Sequence, residues 1–212
     1  MLKVSRVVTE VLEANTYLVY NEQNQEALII DPGSSADKIR AEIKNLQLKP
    51  LAVLITHGHC DHIGALEDIR QYYQIPVYIN QAEAPWLSDP MYNMSPFIGL
   101  GHLTFQAADS YYQDDQEQSI GSIDFTPIHT PGHTQGSTCL FFKNSDHPFM
   151  MTGDTLFKGT IGRTDFPGGD SQAIMQSIPQ KLFTLPDQTL VYPGHYGSST
   201  IAEEKLTNPF FN

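Results

Sequence analysis

The segment Thr56-His57-Gly58-His59-Cys60-Asp61-His62 follows directly on the apolar run Leu51-Ala52-Val53-Leu54-Ile55. Three imidazoles and a carboxylate thus crowd the exit of a predicted strand. A soluble chain tolerates such crowding when something positive sits at its centre, and a pair of metal ions is the most economical occupant. In extended or turning backbone, residues i and i+2 point the same way, so His57 and His59 can grip one ion. Asp61 and His62 follow a change of chain direction and can face a second. Imidazole and carboxylate donors suit zinc, iron or manganese, and the Cys-rich pattern of a closed structural site is absent.

Two ions need more donors than this loop provides. His133 and His195, each preceded by Pro-Gly, are candidates of the same kind, and Asp154 in Gly153-Asp154-Thr155 can bridge two ions through its two oxygens. This set uses five of the 8 histidines and leaves His102, His129 and His147 outside it. His129, so close to His133, is a candidate for holding a ligand in place.

The chain has 212 residues, 40% of them hydrophobic, which is ample for one sizeable core. Its 24 acidic against 12 basic residues give a formal charge of −12. Such a surface repels phosphate backbones, which argues against nucleic acid as a partner. Two cysteines, Cys60 and Cys139, cannot build a disulfide framework, and the expectation is a reduced, cytoplasmic setting. The N-terminus carries no apolar stretch long enough for a secretory signal, and no run approaches the roughly 20 residues that span a bilayer, so no membrane partner is expected.

Along the chain, Thr16–Tyr20, Ala27–Ile30, Leu51–Ile55 and Pro76–Ile79 read as strands. Between them, Ser34 or Ser35 is expected to cap a helix bearing Ile39, Ile43 and Leu46, and Ile63–Tyr73 is expected to form another. Residues 85–106 are apolar but rich in breakers, and a loop of that length is either a cover for the core or a substrate contact. Asp124–Ile128, Ser137–Lys143, Phe149–Thr152 and Leu190–Tyr192 are further strands, with a helix over Ser171–Phe183. Tyr72, Tyr73, Phe141 and Phe142 are read as core residues. Three strand exits in the second half carry the polar clusters 129–133, 153–155 and 193–195. The alternation predicts two layered sheets with outer helices, one domain over residues 1–212, and a site where strand ends converge.

Together these motifs resemble the metallo-β-lactamase superfamily over nearly the whole chain. Within it, Gly153-Asp154-Thr155-Leu156-Phe157 and Gly162-Arg163 resemble the glyoxalase II branch, the hydroxyacylglutathione hydrolases. The stretch Gly159–Pro167 and the ending Glu203–Phe210 are similar to the short bacterial glyoxalase II-like hydrolases. The resemblance implies an αββα sandwich. It assigns His57, His59 and His133 to one metal, Asp61, His62 and His195 to the other, and Asp154 to both. Asp31 matches a family Asp at a strand end, in a supporting rather than a ligating role. Two departures stand out. Only 17 residues follow His195, so the helical C-terminal domain that contacts glutathione in the full-length family is expected to have no counterpart here. Arg163 matches a basic glutathione-binding position, but Asp165 stands where that family usually has a substrate-binding Tyr.

The expected reaction is hydrolysis of a small-molecule thioester, S-lactoylglutathione or a related hydroxyacyl thioester, by a hydroxide bridging two divalent ions, zinc first among them. Coordination lowers the pKa of water from 15.7 to about 7. Asp61 would hold its metal and orient the hydroxide. A thiolate leaves unaided, its thiol having a pKa near 8.5, whereas an amide nitrogen needs a proton on departure. Arg163 is the candidate for pairing with a substrate carboxylate, against an ion pair with Asp165 or Asp170. Two alternatives stay open: a mononuclear-iron persulfide dioxygenase of the same fold, and a non-catalytic metal-binding module. A nuclease of this fold is disfavoured by the acidic surface and the lack of a basic, aromatic-laced appendage.

Overall fold

The computed structural model describes residues 1–143, 145 and 147–212. Strand alternation decides the layering. In β3 (Glu26–Ile30) Leu28 and Ile30 face one side and Ile29 the other, and in β4 (Lys49–Leu54) Ala52 and Leu54 oppose Val53. A strand apolar on both faces must be covered on both. With β1 (Leu2–Val8), β2 (Asn15–Asn21), β5 (Val77–Ile79) and β6 (Ser110–Tyr111) these strands form a sheet in the order β1-β2-β3-β4-β5-β6. It is antiparallel through β3 and parallel from β3 to β6.

The second sheet runs β14-β13-β10-β9-β8-β7. Its members are β7 (Gln118–Ile120), β8 (Ile123–His129), β9 (Thr138–Phe142), β10 (Phe149–Gly153), β13 (Leu190–Pro193) and β14 (Ser199–Thr200). A small hairpin of β11 (Leu156–Phe157) and β12 (Thr160–Ile161) sits apart from it. Tyr17, Val19, Leu28 and Leu54 pack between the sheets against Phe125, Leu140, Phe142 and Met151. On the outer face of the first sheet, Ile29, Val53 and Ile55 meet Ile39 and Ile43 of α1 (Ala36–Asn45) and Leu66 and Ile69 of α3 (Leu66–Tyr73). On the outer face of the second, Met150 and Val191 meet Ile174 of α4 (Ser171–Ser177), Ile178 and Leu182 of the following π-helical turn, and Ile201 of α5 (Ile201–Thr207). The result is the expected αββα sandwich in one domain, and no described helix is long and apolar enough to cross a membrane.

Several local expectations need correction. Ile63–Tyr73 is not one helix: α2 (Cys60–Ile63) stops, and α3 starts three residues later, at Leu66. Ser34 and Ser35 do not cap α1; Ser35 is left-handed with φ 57°, and both hydroxyls accept backbone N–H bonds from the Glu10–Val11 turn instead. The cap of α4 is Asp170, whose carboxylate accepts from the Gln172 and Ala173 amides, an interaction of about 1 kcal/mol. The predicted helix over Ser171–Phe183 changes from α to π at Ile178, next to Pro179. Tyr72 is exposed rather than core, with Arg40 lying 5.1 Å from its ring centre.

Candidate metal centre

The ends of β3, β4, β8, β10 and β13 open at one edge of the sandwich, because β3 and β4 run parallel, as do β10 and β13, and β8 lies two antiparallel steps from β10. Each exit delivers one part of the predicted set: Asp31, the 57–62 loop, His133, Asp154 and His195. The polypeptide thus gathers side chains up to 164 positions apart in sequence (Asp31 to His195) at a single spot. Donor atoms of His57, His59 and His133 lie within 4.8 Å of one another, and so do those of Asp61, His62 and His195. Asp154 stands between the groups: Oδ1 is 3.3 Å from His62 Nε2, and Oδ2 is 3.7 Å from His133 Nε2 and 3.6 Å from His195 Nε2. The approach is close enough that a Cβ on Gly194 would sit 2.3 Å from Asp154 Oδ1 and 2.5 Å from His62 Cε1, so only glycine fits before His195.

The outward nitrogen of each ring fixes what the inward one can do. His133 Nδ1 donates to the Arg163 carbonyl at 2.8 Å, and His195 Nδ1 to the Leu12 carbonyl at 3.2 Å. His62 Nδ1 lies 3.0 Å from Asp31 Oδ2. Thr56 gives its hydroxyl proton to the same oxygen at 2.6 Å and therefore accepts from His57 Nδ1 at 3.1 Å. In all four rings Nε2 is the nitrogen turned inward. His59 joins them by placing Nδ1 3.0 Å from His133 Nε2. Asp31 is fully engaged with Thr56 and His62, its Oδ1 accepting from the Thr56 amide at 2.8 Å.

Burial and charge divide the cluster. Burial pushes His57 well below the ordinary imidazole range and His59 down to about 3, with the neighbouring rings adding to the effect. His133 is lowered for the same reason. For His62 burial also acts downward, but Asp154, Asp61 and Asp31 outweigh it and raise the ring well above its ordinary value. Burial alone would raise Asp61 and Asp154; His62 and its neighbouring rings outweigh it and hold both carboxyls low. The inward Nε2 atoms of His57 and His62, His59 Nε2 and Asp154 Oδ1 are all buried without a hydrogen-bond partner. Buried polar atoms of native proteins are normally paired. Neutral imidazoles at His57, His59 and His133, ionised carboxylates at Asp61 and Asp154, and buried polar atoms without partners together fit a binuclear metal site.

Beside the cluster opens a cavity of about 500 Å³ lined by Leu12, Met94, Phe97, Ile98, Phe166 and Arg163 as well as the cluster itself. Residues 85–106 supply one wall. They both cover and line: Trp86 is buried with its ring centre 5.8 Å from that of His59, whereas Phe97 is largely exposed at the mouth. Arg163 reaches this cavity, but its guanidinium forms two bonds to Asp165, at 2.8 and 2.7 Å, and stacks 3.7 Å from the Phe166 ring centre. Cys60 is buried, and burial with the adjacent Asp61 charge pushes its thiol up to about 12, so it stays protonated. His129 bonds the Gln135 carbonyl at 2.9 Å rather than a ligand. Sequence reasoning missed Thr56, Glu83 and Trp86. Only Thr56 carried a signal, its place immediately before the first histidine.

Residues 9–195 match the family model described as the metallo-beta-lactamase superfamily. The chain belongs to the metallo-beta-lactamase superfamily. Among superfamily relatives it is 40% identical to the probable metallo-hydrolase YqgX of Bacillus subtilis, over 100% of this chain and 98% of that one. It is 31% identical to the hydroxyacylglutathione hydrolase GloC of Haemophilus influenzae, over 100% and 99% of the two chains. Among solved superfamily structures, the B3 metallo-beta-lactamase BLEG-1 superposes with a TM-score of 0.94 at 37% identity, covering 99% of this chain and 100% of that one. TTHA1623, solved in a di-iron-bound form, gives 0.86 at 31% identity, covering 97% and 99%. The chain is thus a probable metal-dependent hydrolase of this superfamily.

Proposed function

We propose that the protein is a dinuclear metal-dependent thioester hydrolase, acting on S-lactoylglutathione or a related hydroxyacyl thioester. His57, His59 and His133 would hold one ion, Asp61, His62 and His195 the other, with Asp154 shared and zinc the expected metal. Bound there, the ions would polarise a carbonyl oxygen and make water nucleophilic near neutral pH. The chain's own residues then set the rest. Asp31 and Thr56 fix the tautomers of His62 and His57, and the Arg163 and Leu12 carbonyls those of His133 and His195. Asp61 lies 3.2 Å from His195, its carboxyl held below the ordinary range by His62 and His195, and would orient the attacking water. Leu12, Met94, Phe97 and Ile98 give the approach to the cluster an apolar side.

The observation that carries the choice of thioester is the make-up of the cavity. Its titratable lining, among the described residues, is the cluster, the protonated Cys60 and the permanently charged Arg163. With the cluster committed to metal, no separate side chain in that lining is left to protonate a leaving amine. A thiolate needs no such donor, and the 31% identical hydroxyacylglutathione hydrolase supports the same choice. A β-lactamase reading has the likeness to BLEG-1 in its favour. The test is a panel of S-lactoylglutathione, other acyl thioesters, an activated ester and a β-lactam, run on metal-loaded protein. Turnover of a thioester well above that of the lactam is expected; lactam turnover alone overturns the thioester reading. Oxygen uptake with glutathione persulfide would select the dioxygenase alternative. Metal retention with no turnover at all would select the non-catalytic one.

A further inference from the structure

Glu83 lies between β5 and the irregular segment, outside every motif of the site. Its side chain is completely buried, and no ion pair to it is found among the described residues. A buried carboxylate without a cation is costly unless its oxygens are well bonded. Both are. Oε2 accepts from the Gly58 amide at 2.8 Å and Oε1 from the Gly136 amide at 2.8 Å. Gly58 separates His57 from His59. Gly136 closes the turn that carries His133, a turn tied across its base by Thr130 N to Ser137 O at 2.7 Å. One carboxylate therefore bonds the two backbone loops that present all three imidazoles of the first group. The fit is tight: a Cβ on Gly58 would lie 3.1 Å from Oε2, and one on Gly136 would lie 2.6 Å from Glu83 Cγ.

We propose that Glu83 is a positioning residue for one metal only: it clamps the His57–His59 loop to the His133 loop and so sets the geometry of that three-imidazole group. The inference rests on the dinuclear reading above. The second group is held by other means, His62 by Asp31 and His195 by the Leu12 carbonyl. A carboxylate suits the task because it presents two acceptors to two N–H donors. An amide presents one acceptor, and its NH2 would face the other N–H as donor to donor.

The test is metal binding by Glu83→Gln, read by elemental analysis after dialysis against graded chelator, alongside the melting temperature of the metal-free protein. Wild type is expected to retain two ions per chain. The variant is expected to bind one of them about 10–100-fold more weakly, the range for residues that orient ligands, with the other unchanged. Equal weakening of both ions, or of neither, overturns the proposal, because a merely structural Glu83 would lower stability without separating the two affinities. A wild type that retains no metal would instead sink the dinuclear reading, and this inference with it. Should the variant not fold, amide exchange in metal-free wild type decides. Gly58 and Gly136 are expected to be protected to a similar degree, and rapid exchange at either overturns the clamp.

Discussion

The two donor groups share Asp154 but are built on different physics. His57, His59 and His133 are buried imidazoles held neutral by desolvation, so their lone pairs are available without losing a proton. Asp61, His62 and His195 instead form a charged set, in which the nearby Asp154 and Asp61 carboxylates favour the protonated form of His62. The first group is pre-formed by backbone clamping and burial; the second is balanced by charge and must give up a proton to take a cation. The contrast implies that the two ions bind with different affinities and different pH dependence.

The largest effect should come from the residue common to both groups. Asp154→Asn removes the shared charge, and metal content and thioester turnover are expected to fall together by more than the ~100-fold seen for supporting residues. A variant that keeps both ions would break the picture of a shared bridge. Next is Asp31→Asn. It loses charge beside His62 and the acceptor of Thr56, and a loss of about 10–100-fold in metal affinity is expected, greater for the second group, by chelator competition. Removing Asp31 without separating the groups would show that His62 is oriented by packing alone.

Acidity sharpens the comparison further. Because the His62 pKa is raised in the metal-free protein, its proton competes with the ion, and binding to that group should weaken as pH falls. The limit is about tenfold per pH unit for one displaced proton. His57, His59 and His133 are lowered, so binding to their group should be nearly flat over the same range around neutrality and weaken only at more acid pH. Calorimetric titration in buffers of different ionisation enthalpy counts the released protons; equal release from both sites would contradict the division. The smallest effect is expected at Arg163. Its pair with Asp165 is exposed, so Arg163→Ala should leave the melting temperature almost unchanged while raising KM for an anionic thioester relative to a neutral one.

Much of this was legible in the sequence, for physical reasons that also explain the gaps. The apolar runs at Ala27–Ile30 and Leu51–Ile55 are buried on both faces, so they announce strands and, with the histidine-rich exit, the sheet edge where the site forms. Edge strand β1 was missed: its alternation of half-buried and exposed residues is weak. The helix over Ile63–Tyr73 looked continuous because apolar spacing runs across residues 64 and 65, where the Ala65 amide bonds the Pro32 carbonyl of a distant loop. Helix α5 was missed although Thr200 caps it through the Glu203 amide. Glu83 was unreadable because its partners are main-chain amides 25 and 53 residues away, and backbone groups leave no mark on composition or spacing.

The most direct test is stepwise zinc titration of metal-free protein, with thioester hydrolysis followed against zinc bound per chain. The account predicts two ions bound in separable steps and turnover that reaches its full value only as the second is filled. Saturation at a single ion, or full turnover with one, would contradict a dinuclear centre.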